Sequence, residues 1–361
     1  MFNPKRLSLA RKRRRLTGKR LAELVGVTQV TISRLETANN EPDSKTLDAL
    51  VRVLGFPEEF FFGDDIDELI PESASFRSLS SITSKEREAA LSAGALAYLL
   101  TDWVSNRFNL PETDLIDLSS ERDPENAAVS LRQSWGLGEQ PISNMIKLLE
   151  SKGIRIFSLF EDTKNVDAFS CWRNGTPYIF LNMFKSSERS RLDAAHELGH
   201  LVMHKHGGPQ QGRSAEVEAN HFAAAFLLPK SDVCSRIPYV FSLDDLISAK
   251  KRWRVSVAAL AYRLHKLGVL SPWQYRTFSI QINKRGYRTQ EPEGISREES
   301  VVWKKVFSEL WNERISKNHV ANDLHIPFSE IENLVFGLVG SPEMPKELVD
   351  QNGKKPSLRV V

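Results

Sequence analysis

Cysteine is scarce in this sequence: Cys171 and Cys234 are the only two in 361 residues, and they lie far apart. That count argues against a disulfide-stapled secreted scaffold and against a cysteine-ligated zinc site, and it makes a reducing cytoplasm the expected compartment. Long apolar runs are missing too. No stretch approaches the roughly 18 uncharged apolar residues of a membrane helix, so no membrane partner is expected. The opening MFNPKRLSLARKRRR has no apolar segment behind its charges and does not read as a secretory signal. Acidic residues are absent from positions 1–20, where nine Lys or Arg stand, whereas the remaining chain carries 40 basic and 46 acidic residues. A basic end on a mildly acidic body points to a polyanionic partner for that end alone. With 41% hydrophobic and 26% charged residues the composition is that of a globular protein, and the length calls for two or three domains.

The basic end is not patterned as a tail. Leu7, Ala10, Leu16, Leu21, Leu24 and Val25 recur among its charges at helical spacing. Helices are expected over residues 5–15, 19–25, 29–36 and 44–54, with Gly26 closing the second and Thr28 capping the third. An acidic, then Ser-rich linker is expected over 63–84, one long helix over 85–108, and two helices within 125–152. Short strands are expected over 154–160, 168–172 and 178–181, with Asn174-Gly175 as a hairpin turn. Helices follow over 187–204, 214–228, 243–251 and 257–267, and a last helical segment spans 297–339.

Residues 21–36 have helix-turn-helix spacing. Ala22 is small where two helices cross, Gly26 makes the turn, and Val27, Ile32 and Leu35 point inward. Gln29, Val30, Thr31, Ser33 and Arg34 are left on the outer face, where a recognition helix meets base edges in the major groove. Gln can bond adenine bidentately, Arg can bond guanine, and Val can meet a thymine methyl. The basic first helix is expected to contact phosphates. Over about the first 60 residues the chain resembles the XRE (Cro/repressor-like) family, through Leu16-Thr17, Leu21-Ala22, Gly26-Val27-Thr28, Ile32-Ser33, Leu35-Glu36 and the trailing Pro42, Leu47 and Leu54-Gly55. It departs from that family at Gly18, where Gln is frequent.

The sharpest chemical signal is Ala195-His196-Glu197-Leu198-Gly199-His200. On a helix His196 and His200 share one face a turn apart, so both imidazoles can reach one ion, and Glu197 lies beside it without binding. Zinc in such a site takes three protein ligands and a water, which it acidifies for a carboxylate base. The third ligand comes from His204, His206, Glu216, Glu218 or His221. His204 continues the face of His200 but stands two turns from His196, about 12 Å of rise, too far for one ion to hold all three. Gly207-Gly208-Pro209 allows the chain to reverse, and on the returning helix Glu216 and Asn220 share a face. Glu216 is therefore favoured as ligand, Asn220 as the group that orients a histidine, and Glu218, about 200° away, as a solvated charge. His221 stays open as a transition-state stabiliser, as do His204 and His206, although a structural role is the default for each.

From about residue 124 to 229 the chain resembles the ImmA/IrrE family of zinc metallopeptidases. The matching residues include Leu131-Arg132, Trp135-Gly136-Leu137-Gly138, Pro141-Ile142, Gly153-Ile154, Leu181-Asn182, Arg189, Arg191, the His196–His200 motif, Glu216, Ala219-Asn220 and Leu227-Leu228-Pro229. The resemblance implies a small gluzincin-like α+β unit with His196, His200 and Glu216 as zinc ligands and Glu197 as catalytic base. It also implies cleavage of a repressor that controls a stress or mobile-element programme.

The expected fold is thus multidomain and mainly α. Residues 1–65 form a helix-turn-helix DNA-binding domain, 66–122 a linker and helical segment, 123–235 the peptidase unit, and 236–361 a helical extension with a possible second helix-turn-helix. Lys250, Lys251, Arg252 and Arg254 could touch DNA there, although Trp253, Leu260 and Leu264 favour packing. Trp303, Phe307, Leu310 and Trp311 form another apolar helical face, for core packing or a dimer interface. The expected function is a DNA-binding regulator, bound to duplex DNA as a homodimer, whose zinc endopeptidase cuts a partner regulator. The alternatives are a zinc-sensing repressor without proteolysis and an antitoxin-like regulator. An intact Glu197 favours the first, since a pure sensor needs no general base.

Overall fold

The computed structural model describes residues 1–69, 83–159, 168–204 and 213–340. Phe160, the Gly207-Gly208-Pro209 break, His206, part of the expected linker and the last 21 residues lie outside them. The described chain is mostly helical with one three-stranded sheet.

The N-terminal unit comprises α1 (Pro4–Arg13), α2 (Gly18–Val25), α3 (Gln29–Glu36), α4 (Ser44–Leu54) and a 3-10 turn (Glu58–Phe62). Each helix begins where a side chain satisfies its free amides: Asn3, Thr17, Thr28 and Asp43 accept from backbone N–H groups of the first turn. Gly26, at φ 82°, ends α2 in the left-handed conformation that the tight turn needs. Leu7, Leu21, Ile32, Leu35 and Leu50 close the core with Phe56, Phe60 and Phe61.

Next comes α5 (Ser84–Ser105), opened by a Thr83/Glu86 capping box. It is buried on nearly every side and acts as a spine rather than a spacer. One flank receives α1. Toward the sheet, Tyr98 meets Tyr178 edge-on at 4.8 Å, and its hydroxyl lies 3.1 Å from the Cys171 sulfur.

Helices α6 (Pro124–Ser134) and α7 (Met145–Ser151) precede the sheet of β1 (Arg155–Ser158), β2 (Ala168–Arg173) and β3 (Thr176–Leu181). The strand order is β1-β3-β2, with β1 parallel and β2 antiparallel to β3. Asn174 and Gly175 both have positive φ, 49° and 77°, as the two-residue hairpin turn read from the sequence demands.

Helix α8 (Ser187–Met203) packs on this sheet, and α9 (Arg213–Leu227) packs on α8 and α6. Helices α8 and α9 run antiparallel, so that His196 meets Asn220 and His204 meets Glu218. Gly199 sets their spacing. A Cβ there would stand 2.9 Å from the Phe222 ring and 3.4 Å from the Ala219 backbone, so only glycine lets α9 come this near.

The remaining helices are α10 (Lys230–Arg236), α11 (Leu243–Trp253), α12 (Val257–Lys266), α13 (Pro272–Lys284), α14 (Val301–Asn312), α15 (Lys317–Asp323) and α16 (Phe328–Val335). The segment expected over 297–339 is three helices, and α10 and α13 were not anticipated. The α11–α12 pair packs through buried Trp253, Leu260 and Leu264, as expected. Its cations are engaged internally: Lys250 is buried 3.2 Å from Glu291, Arg252 grips Asp232 at 2.8 and 3.0 Å, and Lys251 pairs with Glu293. Trp311 is 73% exposed and leaves the apolar face assigned to α14.

Helix α1 also differs from expectation. Arg11 pairs with Glu36, Lys5 with Asp65, and Arg13 and Arg14 with Glu330, while Arg6 is buried against the carbonyls of Phe60 and Asp64. Five cations of this helix thus have partners within the protein, the Lys5–Asp65 pair on its exposed side. The apolar pattern that makes α1 a helix also brings its guanidinium groups against these acids.

Candidate metal centre and DNA-reading face

Helix α8 starts at Ser186, whose side chain accepts from the Arg189 amide, and runs buried to Met203. That register puts His196 and His200 one turn apart, with Nε2 atoms 3.1 Å from each other. Glu216, in the first turn of α9, completes a triangle: its carboxylate oxygens lie 3.4 Å from His196 Nε2 and 3.5 Å from His200 Nε2. Ligands held at zinc–nitrogen distances in a tetrahedron stand about 3.3 Å apart, so the two Nε2 atoms and the Glu216 carboxylate, which turns one oxygen to each, have the spacing one ion needs. Among the described residues no other set of three His, Cys, Asp or Glu converges in this way.

The electrostatics follow from this crowding. Burial pushes the Glu216 carboxyl upward, but hydrogen bonds and charge from His196 and His200 outweigh it and hold the group below the usual carboxylate range. Burial lowers His196, while Glu216, Glu197 and Asp193 raise it to a net upward shift. A clustered anion between two imidazoles is the donor set a borderline divalent cation prefers.

Neighbouring groups contact these side chains. Asn220 Oδ1 stands 3.2 Å from His196 Nδ1, and its Nδ2 donates to the Glu216 carbonyl at 2.7 Å, so one side chain touches both the His196 ring and the first turn of α9. Glu197 is buried with its carboxylate turned to β2, where Ser170 Oγ donates to Oε2 at 2.8 Å. Sequence reasoning missed Ser170. A serine inside an otherwise apolar strand was the available signal.

The structure alters the expectation for Glu218. It is not simply solvated: it lies 3.0 Å from His204 Nε2 and accepts from Ser214 at 2.9 Å. The 200° rotation from Glu216 was correct, but α8 presents a second histidine on that side. His204 does not join the triangle; its Nδ1 lies 3.0 Å from His200 Nδ1. His221 points to Tyr262, 3.1 Å away, and burial lowers its pKa.

A cleft of about 1070 Å³ abuts the centre at Asn220. Leu192 of α8, His221 of α9 and Tyr262 of α12 line it together with Lys185 and Arg288. It is large enough for a stretch of polypeptide.

In the N-terminal unit, α3 turns Gln29, Val30, Ser33 and Arg34 outward, with Thr31 half-buried and hydrogen-bonded to the cap Thr28. Val30 is 57% exposed on this face. Lys19, Arg34 and Lys45 are exposed cations of this unit.

Comparison with protein families finds a match over each of these two regions. Residues 149–265 match the model of the IrrE N-terminal-like domain, the M78 peptidase family, and residues 7–61 match a helix-turn-helix model. No curated protein matches the chain. The chain thus carries a helix-turn-helix-like region followed by a region similar to the IrrE-type peptidase domain. No helix among the described residues is long and apolar enough to cross a membrane.

Proposed function

We propose that this chain is a DNA-bound regulator whose zinc endopeptidase cleaves a repressor or partner regulator in a stress or mobile-element response. The DNA-binding unit is residues 1–65, which docks as a homodimer on a two-fold operator in the cytoplasm, and the peptidase is residues 123–235. The observation that carries the reading is the triangle of His196, His200 and Glu216, with a buried glutamate beside it.

In this reading His196, His200 and Glu216 hold zinc. When bound, zinc polarises a peptide carbonyl and acidifies water at its open position. Glu197, held by Ser170, takes the proton of the attacking water and passes it to the leaving amine. Asn220 keeps the His196 ring in place. The cleft beside Asn220 receives the substrate chain, with Tyr262 and Leu192 against its side chains. Gln29, Val30, Thr31, Ser33 and Arg34 read the operator, which places the peptidase where a repressor sits.

Co-expression with regulators encoded nearby tests this. A fragment of one regulator that forms with zinc and disappears on chelation is expected. Intact regulators under both conditions, with zinc loaded one per chain, would sink the peptidase and leave a sensor.

A further inference from the structure

We infer that His204 and Glu218 act together as positioning residues for the ligand histidine His200, an inference that rests on the zinc reading above. His200 turns Nε2 to Glu216 and His196, which leaves Nδ1 on the far side, 3.0 Å from Nδ1 of His204. A neutral imidazole that offers Nε2 to a metal carries its proton on Nδ1. That proton is donated to His204, so His204 Nδ1 accepts and the His204 proton sits on Nε2. There it meets the Glu218 carboxylate at 3.0 Å, while Ser214 Oγ donates to the other carboxylate oxygen at 2.9 Å. One assignment of protons satisfies every link from Ser214 to the ligand atom.

The two ligand histidines are therefore backed differently. His196 leans on a neutral amide, Asn220. His200 leans on a carboxylate through an intervening imidazole, which fixes its tautomer and ring plane and makes Nε2 a better donor. Helix geometry explains why the relay exists: His204 is one turn beyond His200 on α8, and antiparallel α9 brings Glu218 alongside.

The test uses the full chain and zinc alone, in competition with a chromophoric chelator. His204→Phe keeps ring volume and removes the acceptor, and it should weaken zinc binding by about 10–100-fold. Glu218→Ala should weaken it in the same direction. The double variant should bind as His204→Phe does, because Glu218 reaches His200 only through His204. Circular dichroism of the metal-free proteins checks the fold, and if His204→Phe does not fold, Glu218→Ala and His204→Gln carry the comparison. Zinc affinity of folded variants within threefold of wild type, or losses that add in the double variant, would overturn the relay. A wild type that binds no zinc would instead overturn the metal reading and the relay with it.

Discussion

Arg13 Nε lies 2.8 Å from Glu330 Oε2, joining the first helix of the chain to α16 across 317 residues. Arg14 takes the other carboxylate oxygen at 2.6 Å, and the Glu330 side chain is fully buried. Two guanidinium groups on one buried carboxylate fix how the DNA-reading unit sits on the rest of the molecule. Removing the anion takes from both guanidinium groups their shared carboxylate, and Arg13 is the more buried of the two. Glu330→Ala should therefore cost about 3–5 kcal/mol in denaturant unfolding of the full chain. A loss below about 0.5 kcal/mol, the size of a surface change, would show that the interface does not depend on this contact.

A second contact has a signed pH dependence. Asp232 takes hydrogen bonds from Arg252 and, against the opposing effect of partial burial, from Trp253, and these hold its pKa below the usual carboxylate value. A carboxyl with a depressed folded pKa stabilises the protein above its unfolded pKa and loses that contribution as pH falls through the folded one. Asp232→Asn should cost about 1.5–3 kcal/mol at neutral pH, and the gap from wild type should narrow below about pH 4. A gap that stays constant down to pH 2 would mean that the charge is irrelevant there.

On DNA, the outward side chains of α3 should carry sequence preference. Gln29→Ala and Arg34→Ala should each weaken specific operator binding by about 1–3 kcal/mol while sparing non-specific binding. Because α1 is engaged internally, Lys19→Ala should lower the salt dependence of binding more than Lys5→Ala does. Titrations at several salt concentrations measure both effects. Equal losses on specific and random duplexes from the α3 variants would reassign that face to phosphate contact.

What was legible in the sequence was local. Thr28 and Gly26 mark a turn through their own side-chain and backbone preferences, Asn174-Gly175 marks a hairpin, and His196 and His200 declare a shared face by spacing alone. Glu216 required one further step, the assumption that a helix returns alongside α8. The contacts that were not legible depend on register between distant segments. Ser170 reaches Glu197 because β2 pairs with β3 in one alignment and α8 packs over that strand. Glu330 meets Arg13 through α5, which α1 and α16 both pack against. Helices α10 and α13 begin at or beside Pro229 and Pro272, residues that signal a stop as readily as a start.

The claim that the centre is a peptidase rests on Glu197. Glu197→Gln keeps the shape and the Ser170 contact but cannot take a proton. The decisive measurement is mass spectrometry of a partner regulator co-expressed with wild type or with Glu197→Gln, both shown to carry equal zinc and to bind DNA equally. A general-base role predicts a fragment with wild type and a loss of several orders of magnitude with the variant. The same fragment yield from both proteins, or target genes responding equally with no fragment from either, would contradict it.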